Sequence, residues 1–388
     1  MAGFPGFKQL LALRALTVVN DNVLRWLVIG LGKRAVAAGS VATVLTVGTA
    51  GFVLPFVLLA WLAGWLGDRF PKRSVIVWCK FAEILIAAAA ACAVAWGANS
   101  GATVWGMPLG MWLLLSTVVV IGCQAALLAP SVIGSIPEIV PASRLSQANG
   151  LFAMVTLAAT LAGMAAGNWL ADSTVIPHAG ENSAPQWLHA LPAGGALVGF
   201  AAAGWIAALL LLRRPAADPA APPPWNALSR SWSDLAEIGA DRRLLAATAG
   251  IVFFWGLGAV AQLNVDQLAT EAGASSQGQV VPLLLALVSG IAVGSVVAGR
   301  ISTSGVNLGL VPMGAMIMGF GSLALAWSPE TVFTEAGVDG WRLAVVIAGL
   351  ATLGFGAGMF DVPLEAFFQE QSPPARRAAL LSALNLLT

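Results

Sequence analysis

The chain has 388 residues, of which 58% are hydrophobic and only 10% charged, and its formal net charge is +1. Ordinary soluble domains carry about 25% charged residues, so the composition excludes a soluble globular domain. The near-neutral balance says nothing about nucleic acid, and no basic tract is long enough to suggest it, so no nucleic-acid partner is expected. Cys79, Cys92 and Cys123 stand singly inside apolar stretches with no paired spacing, which argues against a disulfide or a metal site.

The chain is read as an all-α polytopic membrane protein. A hydrocarbon core about 30 Å thick needs roughly 20 apolar residues per helical crossing. About ten stretches of that kind follow one another, near 10–31, 41–67, 75–97, 108–129, 148–171, 190–212, 244–269, 278–299, 306–327 and 341–367. The one long polar interruption, 213–243, opens on Arg213 and Arg214, passes Pro222, Pro223 and Pro224, and closes on Arg242 and Arg243. Its prolines predict a stiff linker. The chain therefore divides into 1–212 with six spans, a linker at 213–243, and 244–388 with four. With the N-terminus inside, most Lys and Arg fall on one side, and only Lys33, Arg34 and Arg342 on the other. That bias predicts a cytoplasmic N-terminus in an inner membrane.

An internal repeat supports two related halves. Glu138, Pro141 and Arg144 follow the fourth span, and Glu370, Pro373 and Arg376 follow the tenth with the same spacing. Asn20-Asp21-Asn22 in the first span matches Asn264-Val265-Asp266 in the seventh loosely. Both pairs lie six spans apart, as two homologous six-helix halves require, with a site expected at their interface. The second half then lacks two helices, which are expected beyond Thr388.

Ionisable groups inside a membrane are costly and so mark candidate sites. Asp21 and Arg25 lie four apart in the first span and are read as a possible internal ion pair, with Asn20 and Asn22 extending a polar track. Lys80 and Glu83 lie three apart in the third, near enough to pair, although Lys80 is expected rather to snorkel to the near interface. Gln124 reads as an interhelical hydrogen bond. Asp266, with Gln262 and Asn264, either lines the outer end of a cavity or caps its helix. Asp361 and Glu365, four apart, repel unless a proton or cation intervenes. They are candidates for proton coupling or for holding a substrate amine, unless Glu365 already reaches the cytoplasmic interface and leaves only Asp361 buried. His178 and His189 receive no role.

Between the second and third spans runs Gly64-Trp-Leu-Gly67-Asp68-Arg69-Phe-Pro-Lys72-Arg73. It resembles the G-x-L-x-D-R-x-x-K-R signature of the major facilitator superfamily. The resemblance implies a fold of two six-helix bundles, here with the second bundle truncated, and a conformational latch at Gly64, Asp68, Arg69, Lys72 and Arg73. Further elements narrow it: Phe81-Ala-Glu83, Ala148-Asn149-Gly150, Asn307 to Pro312, and Val362-Pro363-Leu364 before Gln369-Glu370. Together with Asn20-Asp21-Asn22 these are similar to the lysophospholipid transporter branch, particularly the transporter domain fused to acyltransferase and acyl-carrier-protein ligase domains in bacteria. The resemblance implies a lipid-like substrate, contact with membrane lipid, and an optional C-terminal acyltransferase domain or partner. It implies no cofactor and no catalysis within these residues, which carry no hydrolase, transferase or phosphate-loop signature. Asn20, Asp21, Asn22, Arg25, Asp266 and Asp361 are then the substrate or coupling residues. Two other functions remain open: a proton-driven exporter of amphipathic drugs, and a non-transporting membrane module serving a fused acyltransferase.

Overall fold

The computed structural model describes residues 4, 6–35, 41–174, 186–223, 226–271, 277–302, 305–327, 332–334 and 337–388. Ten long helices follow the ten apolar stretches: α1 (Phe7–Ala35), α2 (Val41–Arg69), α3 (Lys72–Trp96), α4 (Leu109–Gly134), α6 (Leu145–Ser173), α7 (Gln186–Leu209), α9 (Arg242–Glu271), α10 (Gln277–Ile301), α11 (Leu310–Ala326) and α12 (Gly340–Gln371). Short elements fill the gaps, namely α5 (Ile136–Ile139), α8 (Ala227–Ala240), α13 (Arg377–Leu387) and two small hairpins. Among the described residues seven helices are long and apolar enough to cross a membrane. The first helix, which carries Arg14, Asp21 and Arg25 in its interior, is outside that set.

The stretch 213–243 is not linker throughout. It contains α8, whose Asp234 and Ile238 are buried one turn apart while Trp232 is 75% exposed. That is the pattern of a helix lying on a surface with one face covered. The polar composition hid an amphipathic period.

Helix pairing follows small residues, as expected where lipid leaves no hydrophobic drive between helices. Gly290 and Gly294 on α10 meet the backbone of Ala351 and Phe355, while Gly354 and Gly358 on α12 meet Leu287 and Ile291. Each helix thus presents two glycines four apart to the other. On the other side of the molecule Gly163 and Gly167 of α6 lie against Val19 and Val23 of α1. A side chain at any of these positions would push the backbones apart.

The repeat inferred from sequence has a structural counterpart. Ala142–Arg144 and Pro374–Arg376 both form one 3-10 turn. The residue before the next helix, Arg144 or Arg376, has nearly the same backbone angles (φ −118°, ψ 6° and φ −120°, ψ 2°). In both copies the Arg N–H donates to the Pro carbonyl at 2.9 Å.

Candidate functional site

The polar interior of α1 opens in three directions. Asn20, fully buried, points to α3 and donates from Nδ2 to Glu83 Oε1 at 2.9 Å. Asn22 turns towards α6 and donates back to the Val18 carbonyl at 2.8 Å, so it does not extend the polar track. Asp21 lies between them, 7% exposed, within reach of the charges of Glu83, Lys80 and Arg14.

The possible Asp21–Arg25 pair does not form. Arg25 leans to α2, where Nη2 donates to Thr49 Oγ1 at 3.3 Å and Cζ lies 5.6 Å over the Phe52 ring. Its Nε and the Asp21 Oδ1 are both buried without a hydrogen-bond partner. An aromatic face attracts a guanidinium by its quadrupole, so Arg25 is held without using the carboxylate four residues away.

Lys80 does not snorkel either. It is fully buried and pairs with the equally buried Glu83, Nζ to Oε2 at 2.5 Å. Gly204 on α7 makes the room: a Cβ there would sit 2.9 Å from Lys80 Cε. The Glu83 carboxylate also accepts from Gln124 Nε2 at 3.1 Å, and the same amide donates to the Cys79 carbonyl at 3.1 Å. Gln124 is therefore the interhelical bond expected of it. One carboxylate gathers donors from α1, α3 and α4, which satisfies the charge that the membrane would otherwise penalise.

Arg14 was not foreseen. It lies two turns before Asp21, donates from Nε to Thr156 Oγ1 on α6 at 2.9 Å, and stacks 4.9 Å over Phe152. The signal was present: positions 14, 21 and 25 recur at helical spacing and place three charges along one side of α1. The counterpart in α12 is Asp361 with Glu365. Gly358 and Val362 pack towards α10, and Phe360, Leu364 and Phe368 towards α9 and α13. Positions 361 and 365 occupy the sector between those faces. The Asp361 Oδ1 is buried with no hydrogen-bond partner. No Lys, Arg or His occurs in 244–299, 301–341 or 343–375, so these two carboxylates have no counter-charge in the interior of their own half. The side chains of Gln262, Asn264 and Asp266 lie outside the described residues, as does His178. His189 is described on α7, with Nε2 buried and unpartnered.

The motif residues form one connected structure at the opposite end of α2. Asp68, 3% exposed, accepts from the N–H groups of Ala378 and Ala379 at 2.9 and 3.0 Å. These are orphan donors in the first turn of α13, where the helix dipole also favours a negative charge. Gly64 admits that turn: a Cβ there would lie 2.7 Å from Ala379 Cα. Arg69 donates to the Ala221 carbonyl at 2.8 Å, and Arg73 to the Leu211 and Leu209 carbonyls at 2.8 and 2.7 Å. Lys72, almost fully buried, pairs with Glu138. Arg376, just before α13, binds Asp234 at 2.5 Å and Glu237 at 2.9 Å on α8. Burial works against its charge, but these two carboxylates outweigh it and hold its pKa above the ordinary value.

Two more contacts close this end. Asn149 of α6 and Gln369 of α12 exchange amide hydrogen bonds at 3.1 and 2.8 Å, both side chains buried. Gly150 and Gly299 let α6 and α10 touch backbone to backbone: Cβ atoms there would lie 2.3 Å from Ser295 O and 2.8 Å from Gln147 Cα.

Residues 24–388 match the family profile described as Major Facilitator Superfamily. The chain is 26% identical over 358 residues to the lysophospholipid transporter LplT of Serratia proteamaculans, covering 92% of this chain and 78% of that protein. It is 26% identical over 370 residues to the LplT of Escherichia coli O7:K1, covering 94% and 80%. Its fold is similar to that of the human organic anion transporter MFSD10 (TM-score 0.69, 16% identity, 99% of this chain and 90% of that one). It is also similar to a bacterial homologue of the iron transporter ferroportin in an outward-facing state (TM-score 0.65, 15% identity, 98% and 88%). The chain belongs to the major facilitator superfamily and is a multi-pass membrane transporter.

Proposed function

We propose that this major facilitator carries a lysophospholipid across the cytoplasmic membrane for re-acylation, with residues 1–212 and 244–388 as two bundles rocking about a central site. The observation that carries the reading is the division of buried charge. Arg14 and Arg25 project from α1 with Asp21 between them, and α12 offers Asp361 and Glu365 with no cation of their own. A headgroup with an anionic phosphate and a cationic amine complements both sets at once. Electrostatic complementarity of that kind favours one orientation and one class of ligand. The similarity to LplT proteins along more than nine-tenths of the chain supports the same substrate class.

In this reading the N-terminus is cytoplasmic, and the Asp68 end is the inner gate, held shut here by the Asp68, Asn149 and Gly150 contacts. Arg14 and Arg25 hold the phosphate, and Asp21 tunes their charge. Asp361 and Glu365 receive the amine, or a proton when no amine is present.

The test is uptake of labelled lysophosphatidylethanolamine by spheroplasts that express the full-length protein. Asp21→Asn is expected to lower uptake at least about tenfold, the equivalent of ~1.4 kcal/mol. A protonophore then shows whether a proton gradient drives the step. Normal membrane insertion with no uptake would overturn the lipid reading and leave export of amphipathic drugs in its place.

A further inference from the structure

Helices α6 and α13 begin alike, and only one of the two starts is completed. Each follows a 3-10 turn and takes an arginine as its N-cap residue, Arg144 or Arg376, whose side chain makes no capping bond. A guanidinium has no acceptor, so the N–H groups of the second and third helical residues need an oxygen from elsewhere. At α13 those groups belong to Ala378 and Ala379, and the Asp68 carboxylate takes both. At α6 they belong to Ser146 and Gln147. Gly299 brings α10 against that turn as Gly64 brings α2 against Ala379. No carboxylate can follow it, because no Asp or Glu occurs between Glu271 and Glu330.

The other groups at this turn are donors too. Ser146 is 1% exposed and its hydroxyl has no hydrogen-bond partner. Side chains in a helix tilt back towards its N-terminus, which sets that hydroxyl beside the two N–H groups. Alanine stands at the same place in α13, where Asp68 is present. Arg144 is exposed and donates to Gln147 Oε1 at 3.0 Å. A Cβ on Gly299 would lie 2.8 Å from Gln147 Cα, and successive Cα atoms are about 3.8 Å apart. Arg300, also exposed, therefore stands within one side-chain length of the turn. Among the described residues no carboxylate pairs with either arginine. Pro141 to Arg144 are exposed, so the turn is open to the aqueous side.

We propose that the first turn of α6 is an anion site, where a phosphate group takes the place that Asp68 takes on α13. The phosphate is either free in solution or part of a lipid headgroup in the adjoining leaflet. Two N–H groups, a hydroxyl and forked guanidinium groups suit a phosphate with its several oxygens better than a carboxylate with two. Ser146 and Arg144 belong to one half and Arg300 to the other, so the bound anion holds this end closed. The site does not depend on the lysophospholipid reading and uses no residue of α1 or α12.

The test follows Tm of the full-length protein in dodecyl maltoside, a detergent without phosphate. Inorganic phosphate is titrated against sodium chloride at matched ionic strength, and dioleoylphosphatidylglycerol against dioleoylglycerol. A saturable rise beyond the control is expected, since a ligand that binds only the folded state stabilises it. A response to inorganic phosphate identifies a soluble ligand, and a response to phosphatidylglycerol alone identifies a headgroup. Ser146→Ala matches the other copy and is expected to fold. It should weaken binding about tenfold or more, as for one hydrogen bond to a charged group, and Arg144→Gln should do the same. Arg213→Gln, at an exposed arginine of the linker, should leave binding unchanged. The ligand should also slow hydrogen exchange at the Ser146 and Gln147 amides in the wild type and not in Ser146→Ala. No saturable rise, a rise matched by either control, or a rise that survives both Ser146→Ala and Arg144→Gln overturns the inference.

Discussion

Two seams join the halves at the Asp68 end, and they solve the same packing problem differently. Where α2 meets α13, Gly64 allows close approach and Asp68 adds a carboxylate across two helix N-terminal donors. Where α10 meets α6, Gly299 stands against Gln147 much as Asp68 stands against Ala379, and no carboxylate is present. Among the described residues, no side chain accepts from the Ser146 or Gln147 N–H. The first seam is held by directed charge–dipole bonds, and the second by shape alone. As the proposed gate, this end has one side whose strength depends on a specific anion and one whose strength depends on the absence of side chains.

The largest effect should come from breaking the shape-held seam. Gly150→Leu places a side chain where even a Cβ lies 2.3 Å from backbone, so this seam cannot close. Transport should fall to background while a cysteine at position 147 becomes reactive to a membrane-impermeant maleimide. Unchanged labelling would show that the seam yields elsewhere.

Next comes the charge-held seam. Hydrogen bonds to a charged group contribute about 1.5–3 kcal/mol each, and Asp68→Ala removes two of them. Transport should drop about tenfold or more, and Asp68→Gly should fare no better, although it makes this seam resemble its partner. Wild-type rates in Asp68→Gly would mean that shape suffices on both sides.

The amide pair between the seams ranks third. Asn149→Ala leaves the buried Gln369 amide unpaired, and Gln369→Ala leaves the Asn149 oxygen without a donor while its Nδ2 keeps the Leu145 carbonyl, a cost of about 1–3 kcal/mol in each case. The double variant should be less damaging than the sum, which a double-mutant cycle on thermal stability in detergent will resolve. Additive effects would show that the two side chains do not communicate.

Smallest is Arg376→Ala. The Arg376 side chain is 23% exposed; its bond to Glu237, 37% exposed, is part-screened and worth about 1 kcal/mol or less, so the bond to the buried Asp234, 5% exposed, makes up most of the loss. A modest fall in stability that shrinks further at high salt is expected. A loss as great as that of Asp68→Ala would place α8 in the gate itself.

Much of the architecture was legible because the bilayer imposes it. Ten apolar stretches became ten helices, with ends that moved by only a few residues. The Gly64–Arg73 motif and the Glu-Pro-Arg repeat were also readable, because each is local in sequence. The site was less so. Asn20, Glu83 and Gln124 meet from three helices, and no spacing rule joins residues 41 to 63 positions apart. The snorkelling expectation for Lys80 failed because the space that admits its ammonium is created by Gly204, on a helix more than a hundred residues away. Arg25 could reach either its own helix or Phe52, and only the packing of α1 on α2 decides for the ring.

The buried Lys80–Glu83 pair also constrains how the protein is made. The third helix enters the membrane with an ammonium and a carboxylate three residues apart. Charged residues near the centre of an inserting helix cost about 2.5–3.5 kcal/mol each, and an intrahelical pair removes part of that cost. The rest is removed by Asn20, synthesised earlier, and Gln124, synthesised later. Until α4 arrives, α3 has an unfinished polar patch facing lipid or the insertion machinery. Biogenesis of the first bundle is therefore expected to proceed with α1 retained beside the nascent chain until α4 has emerged, rather than by release of helices one at a time.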